Sequence, residues 1–433
     1  MLYYILRPIA YFALRVYFRR IYMTGKENIP DKGPIVFAIN HPTAFIDPIP
    51  ITSFFFRYVT HFILRGDMFD TPLAARILKS IKMEPIFRFR DGFDNLRKNQ
   101  ETMDRMEKHL ADGGNITIMA EGIRKHEKRL RPIQKGTARM IFGSYGKYKN
   151  DAIQVVPVGI NFTDALKERS FLMYDFGKPI PIKNYIADFE QNDRRAIKKL
   201  TQDIGKGMKP RVIHVNKPED DQVADEVLDV FRNERHFSRS PLLSKDRSLL
   251  ESELKLVSQL NELAEEQNKQ LKETSSEYNS LLKKYNLNDY IVKQNSRYNF
   301  LTIIGLILFL PIFIIGYLVN ILPIKFAYNF VEKKIKDPLF YASVFFAVSM
   351  LAYWVYWHAI AFVLAIVDIP QLDWWAELLL LFAIPASGLI ALNYKEIFTN
   401  WRLAQRFRGL AKAEQEQLLA MREKIKAFFN TGS

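Results

Sequence analysis

Two stretches without any Asp, Glu, Lys or Arg, Phe300–Leu322 and Leu339–Val367, limit what this chain can become. Each is long enough to cross the roughly 30 Å hydrocarbon layer of a bilayer as a helix. A third apolar run, Leu378–Leu392, follows Asp368 and Asp373. Membrane segments are therefore expected at 299–322, 339–367 and 375–393, with a basic tail over 394–433. Lys325, Lys333, Lys334 and Lys336 lie between the first two segments, and Arg402, Arg406 and Arg408 follow the third. The positive-inside rule then puts that loop, the tail and the N-terminal domain in the cytoplasm. Three plain crossings cannot satisfy all three placements. With Pro311 in its middle, Phe300–Leu322 is expected to form a re-entrant hairpin while the other segments cross. Three crossings with an external tail are the alternative.

The net charge of +15 calls for a polyanionic partner, and the apolar segments make an anionic membrane face the economical one. No nucleic-acid-binding motif accompanies the charge. The absence of cysteine excludes disulfides, thiolate metal sites and a Cys nucleophile. Residues 1–24 are apolar and aromatic but are interrupted by Arg7 and followed by Arg15, Arg19 and Arg20. That pattern suits an amphipathic helix lying in the interface with snorkelling arginines, or an ordinary buried first helix.

Residues 25–215 read as one α/β domain. PIVFAIN (34–40), VTHFIL (59–64), NITIMA (115–120) and AIQVVPVGI (152–160) are buried-strand patterns. Helical stretches separate them, one ending at Gly113 and Gly114. A mostly parallel sheet flanked by helices is expected. Residues 216–248 are polar enough for a linker or surface helix, and 249–298 carry Leu250, Leu254, Val257, Leu260 and Leu263 at the spacing of an amphipathic helical arm.

The chemistry gathers where strands end. PIVFAIN runs into Asn40-His41-Pro42-Thr43-Ala44-Phe45-Ile46-Asp47-Pro48. Imidazole suits proton abstraction from an alcohol near neutral pH, and a nearby carboxylate can hold its tautomer and stabilise the imidazolium. Asp47-Pro48 is equally a good helix start, and His41 could be a turn residue. Further along come Glu84-Pro85-Ile86-Phe87-Arg88, then Glu121-Gly122-Ile123-Arg124-Lys125, then Val156-Pro157-Val158-Gly159-Ile160. A guanidinium beside a flexible glycine can hold a phosphate by two hydrogen bonds. Lys125, Lys128, Arg129, Arg131 and Lys135 add a basic rim. An Arg124–Glu121 salt bridge and a solvated face are the plainer readings.

In this order, over about residues 20–180, the four blocks resemble the glycerophospholipid acyltransferase family. The spacing and C-terminal membrane segments are most similar to yeast-type glycerol-3-phosphate acyltransferases and their bacterial relatives. The resemblance implies His41 as general base and Asp47 as its orienting carboxylate. It implies Arg88, Glu121, Gly122 and Arg124 as the acceptor-phosphate site, with Asn40, Thr43 and Lys125 in support. Thr43 stands where the family usually has Ser, and Ala120 where a Pro is common. The His41–Asp47 interval is one residue longer than the common spacing. The activity implied is transfer of an acyl group from acyl-CoA or acyl carrier protein to glycerol 3-phosphate, or to its 1-acyl form, without cofactor or metal. The host membrane would be a bacterial cell membrane or, in a eukaryote, the endoplasmic reticulum. A non-catalytic scaffold binding anionic lipid is the reading from another class.

Overall fold

The computed structural model describes residues 1–87, 93–122, 125, 127–235, 242–367 and 374–429. They form two compact units. The first comprises Met1–His214, Ser240–Leu250 and Asp337–Phe346, and the second comprises the remainder.

The first unit is built on a nine-stranded sheet. In chain order its strands are β1 (Arg20–Thr24), β2 (Ile35–Ile39), β3 (Thr60–Arg65), β4 (Met83–Ile86), β5 (Asn115–Met119), β6 (Gln154–Phe162), β7 (Phe171–Phe176), β8 (Ile180–Pro181) and β9 (Leu242–Ser244). The spatial order is β4-β3-β5-β2-β6-β7-β1-β9, with β8 beside β6. Six of the eight strand pairings are parallel, as the sequence indicates; the antiparallel ones are β6–β7 and β6–β8, so β7, β1 and β9 run together opposite to β6. All five residues of β2 are fully buried because both faces are covered. On one face Val36 and Ala38 pack against α4 (Phe93–Ala111), α5 (Gly136–Tyr148) and α7 (Asp193–Met208), which α6 (Ile186–Gln191) precedes. The other face carries α1 (Leu2–Tyr17) and α2 (Ile49–Phe54); α3 (Pro72–Ser80) links β3 to β4.

Helix α1 divides its residues between two environments. Tyr3, Arg7, Ala10, Leu14 and Tyr17 are buried, while Tyr4, Ile5, Phe12 and Val16 are exposed. Arg7 does not snorkel. It points inward and donates to the carbonyls of Thr52, Phe55 and Tyr58 at 2.8–3.1 Å, satisfying acceptors that the end of α2 leaves open. Strand β1 lies inside 1–24, so the sheet begins before residue 25. The start of α13 (Pro338–Val367) also belongs to this unit, with Phe346 edge-on to Tyr17 at 5.4 Å.

The second unit is helical. Residues 216–248 are not a linker: α8 (Asp221–Arg232) buries Val223, Ala224, Val227 and Leu228, an apolar face that repeats at helical spacing. The arm over 249–298 is three helices, α9 (Ser248–Glu262), α10 (Glu265–Lys284) and α11 (Asp289–Gln294). The residues after 393 are not a free tail. Helix α14 (Trp374–Arg408) runs through them, and α15 (Lys412–Ala427) buries Arg422. Its guanidinium donates to Asp289 at 2.9 Å and to the Val230 carbonyl at 2.6 Å, and it also pairs with Glu234.

The expected re-entrant hairpin is corrected by a single 35-residue helix, α12 (Phe300–Lys334), which passes through Pro311 and Pro323. Each proline removes one backbone donor, and the intrahelical bonds on either side carry the helix past it. Lys325, Lys333 and Lys334 therefore lie on α12 rather than in a loop. Among the described residues, two helices are long and apolar enough to cross a membrane, Phe300–Lys334 and Pro338–Val363. Asp368 and Asp373 lie outside the described residues. Asn320 joins α12 to α14, donating to Gly316 O at 2.7 Å and Ile384 O at 3.1 Å. The glycine lets the backbones approach: a Cβ on Gly316 would sit 2.4 Å from Ser387 O.

Candidate active site

Strand β2 lies between β5 and β6, so its C-terminal end opens at the middle of the sheet's carboxyl edge, where α/β folds place ligands. Asn40 continues the strand with its side chain. Its Nδ2 donates to Ile160 O at 2.9 Å, and its Oδ1 accepts from Ile160 N at 2.7 Å. The next residue is His41.

The turn beyond it folds back so that His41 Nδ1 meets Asp47 Oδ2 at 2.8 Å, despite the longer interval. Asp47 is fully buried and the His41 side chain is 15% exposed. A carboxylate can only accept, so Nδ1 carries the proton and Nε2 of the neutral ring keeps its lone pair. Nε2 has no partner among the described residues. The Asp47 carboxylate is otherwise occupied by Thr43, whose backbone N–H donates to Oδ2 at 3.1 Å and whose hydroxyl donates to Oδ1. A Ser at this position could make the same two contacts. Asp47 does not cap α2, which begins at Ile49 with no side-chain cap.

Glu121, at the end of β5, bridges two loops. Its Oε2 accepts from His41 N at 2.8 Å and its Oε1 from Arg131 N at 2.7 Å. The carboxylate thus ties the His41 turn to the loop after β5. Burial raises its pKa, and the two backbone N–H groups oppose that shift. Both carboxylate oxygens are thus engaged by backbone N–H groups of the fold. Gly122 sits at φ +72°, which favours glycine. The Lys125 N–H reaches His41 O at 3.4 Å, and its ammonium pairs with Glu127. Arg88 and Arg124, the expected phosphate ligands, lie outside the described residues.

Sequence reasoning missed several groups around this site. Glu127 gathers the basic rim, pairing with Arg131 at 2.6 Å as well as Lys125; burial raises its pKa but those two cations bring it below the ordinary carboxylate value. Asn99 on α4 holds Phe87 at the end of β4 by two backbone bonds of 2.7 and 2.8 Å. Tyr174 on β7 donates its hydroxyl to the Asp47 carbonyl. Glu127 was visible as the one acid in a basic run. The other two act across long sequence separations and leave no local pattern.

A family model described as Acyltransferase matches residues 20–161. The chain is 27% identical over 211 residues to Glycerol-3-phosphate O-acyltransferase 1 of Saccharomyces cerevisiae, covering 47% of this chain and 27% of that protein. It is 27% identical over 119 residues to Glycerol-3-phosphate O-acyltransferase 2 of the same organism, covering 27% of this chain and 16% of that protein. The chain thus spans about a quarter or less of the length of these curated relatives. Among solved structures, the 1-acyl-sn-glycerophosphate (LPA) acyltransferase from Thermotoga maritima aligns over 47% of this chain and 79% of its own, with 20% identity and a TM-score of 0.32. Residues 20–161, the stretch that matches the Acyltransferase family model, hold His41, Asp47 and Glu121.

Proposed function

We propose that this protein transfers a fatty acyl group from a thioester, acyl-CoA or acyl carrier protein, to a hydroxyl of glycerol 3-phosphate. The observation that carries the reading is the 2.8 Å contact between His41 Nδ1 and the buried Asp47, with the opposite ring nitrogen left to act as a base. Nε2 takes the hydroxyl proton as the acceptor oxygen bonds to the thioester carbonyl carbon. Asp47 stabilises the imidazolium. The tetrahedral intermediate then expels the thiolate, which takes the proton from Nε2, leaving an ester, a free thiol and neutral His41. Holding both substrates together supplies much of the rate, and no acyl-enzyme is required. In this reading Arg88 and Arg124 bind the acceptor phosphate and Gly122 leaves room for it.

The similarity to yeast glycerol-3-phosphate O-acyltransferases favours glycerol 3-phosphate over its 1-acyl form. The exposed face of α1, with Tyr4, Ile5, Phe12 and Val16, lies against the bilayer surface in this account. The domain faces the cytoplasm, a placement supported by Lys333, Lys334 and Lys336 beside the start of α13. Purified protein offered each acceptor in turn with one acyl donor tests the reading. Acylation of glycerol 3-phosphate is expected; acylation of the 1-acyl form alone would reassign the acceptor, and acylation of neither would overturn the proposal.

A further inference from the structure

We propose that Tyr174 is a positioning residue for the His41–Asp47 pair, holding the lengthened turn between them at its far end; this rests on the acyl-transfer reading of that pair. No regular helix or strand spans the turn, and a helix would not bring residues six apart onto one face. Its closure therefore depends on side chains. Thr43 closes it from within, but Thr43 moves with the turn and cannot locate it on the sheet. The two ends are located separately. Asn40 is bonded to the backbone of Ile160, and the Asp47 carbonyl accepts from the Tyr174 hydroxyl. Ile160 on β6 and Tyr174 on β7 are register partners across an antiparallel pair. Both ends of the turn are thus referred to one rung of the sheet, whose width is set at about 5 Å.

Tyr174 is a rigid donor. It is fully buried, paired with Met23 on β1 as well as Ile160, and its ring stacks on Phe176 at 6.0 Å. Burial and the nearby Asp47 charge keep its phenol protonated well beyond its ordinary range. A hydroxyl from β7 is therefore what absorbs the additional residue between His41 and Asp47.

The test is Tyr174→Phe in the full-length protein, which removes one oxygen and keeps the ring. With glycerol 3-phosphate and acyl-CoA, kcat should fall about tenfold or more while KM for the acceptor changes less than about threefold. A residue that only fills the core would lower the melting temperature without producing that split between kcat and KM. Wild-type kcat in folded Y174F would overturn the proposal. If Y174F does not fold, Tyr174→Met carries the same measurements, and failure of both to fold assigns Tyr174 to the core alone and overturns it. A wild type that acylates no glycerophosphate would sink the underlying reading instead. Carbethoxylation of His41 by diethyl pyrocarbonate at pH 6 then still reports on the turn. Y174F should react about twofold faster or more, as the released turn opens the largely buried ring to the reagent, and an unchanged rate would overturn the proposal.

Discussion

Replacing Asp47 by Asn alters one atom and one charge at the centre of the site. The side chain is fully buried, with His41 Nδ1 and Thr43 N–H on Oδ2 and the Thr43 hydroxyl on Oδ1. One orientation of the Asn amide keeps every contact: its oxygen faces His41 and the Thr43 N–H, and its NH₂ donates to the Thr43 hydroxyl oxygen. The reverse orientation sets NH₂ against the Thr43 N–H. Asp47→Asn should therefore keep the fold and the tautomer and lose only the negative charge beside the developing imidazolium. With charge centres about 4 Å apart and an effective dielectric of about 20, that attraction amounts to about 4 kcal/mol. At 1.4 kcal/mol per decade, kcat should fall about a thousandfold, with KM for the acceptor within about threefold. Initial rates of labelled lipid formation, with melting temperatures on the same preparations, measure this. A folded variant within tenfold of wild type would refute the argument that an imidazolium forms at His41.

The same structure sets three other expectations. His61 and His109 lie with ring centroids 4.0 Å apart and planes tilted by 34°, and burial, reinforced by His109 and Lys82, pushes His61 down to about 4. The unfolded chain then binds more protons, so stability is complete above about pH 6.5 and falls by about 1.4 kcal/mol per pH unit from there towards pH 4. His61→Phe should flatten that loss, as read from urea midpoints at pH 7 and pH 5. Gly122→Ala places a Cβ at φ +72° and 2.9 Å from the Gln134 side chain, and should cost about 1–2 kcal/mol in thermal unfolding. Gly316→Leu cannot fit against Ser387 O and should part α12 from α14. The chain has no cysteine, so a Phe313→Cys, Tyr394→Cys pair, at positions whose rings now stack, should be joined by a short bismaleimide without Gly316→Leu and much less with it.

Much of the sheet was legible because its central strands are buried on both faces. PIVFAIN and AIQVVPVGI are almost wholly apolar, and the C-terminal ends of PIVFAIN and NITIMA delivered His41 and Glu121 by position and chemistry together. The missed strands carry polar residues whose partners are distant. Strand β7 contains Asp175, which reads as surface but is buried, accepting from Thr24 at 2.8 Å and from Arg247 at 3.0 Å. Strand β1 comes after an aromatic run and begins with Arg20, so it reads as the end of the first helix. The carboxylate of Glu121 was assigned by motif to phosphate, while its backbone partners, His41 and Arg131, exist only in the folded chain. Pro311 illustrates the opposite error. A local helix breaker was given more weight than the continuous hydrogen bonding of α12, which outlasts a single missing donor. Asn320 and Tyr174 had no sequence signal at all, because each acts on a backbone carbonyl remote in the chain.

The most direct test of the account is lipid product formation by purified wild-type protein and its His41→Ala variant, with glycerol 3-phosphate and a long-chain acyl-CoA. The expected result is an acylated glycerol phosphate from the wild type, and essentially none from a variant that melts at the same temperature. Equal product from the two proteins would contradict the central claim, since the base that opens the reaction would then lie elsewhere.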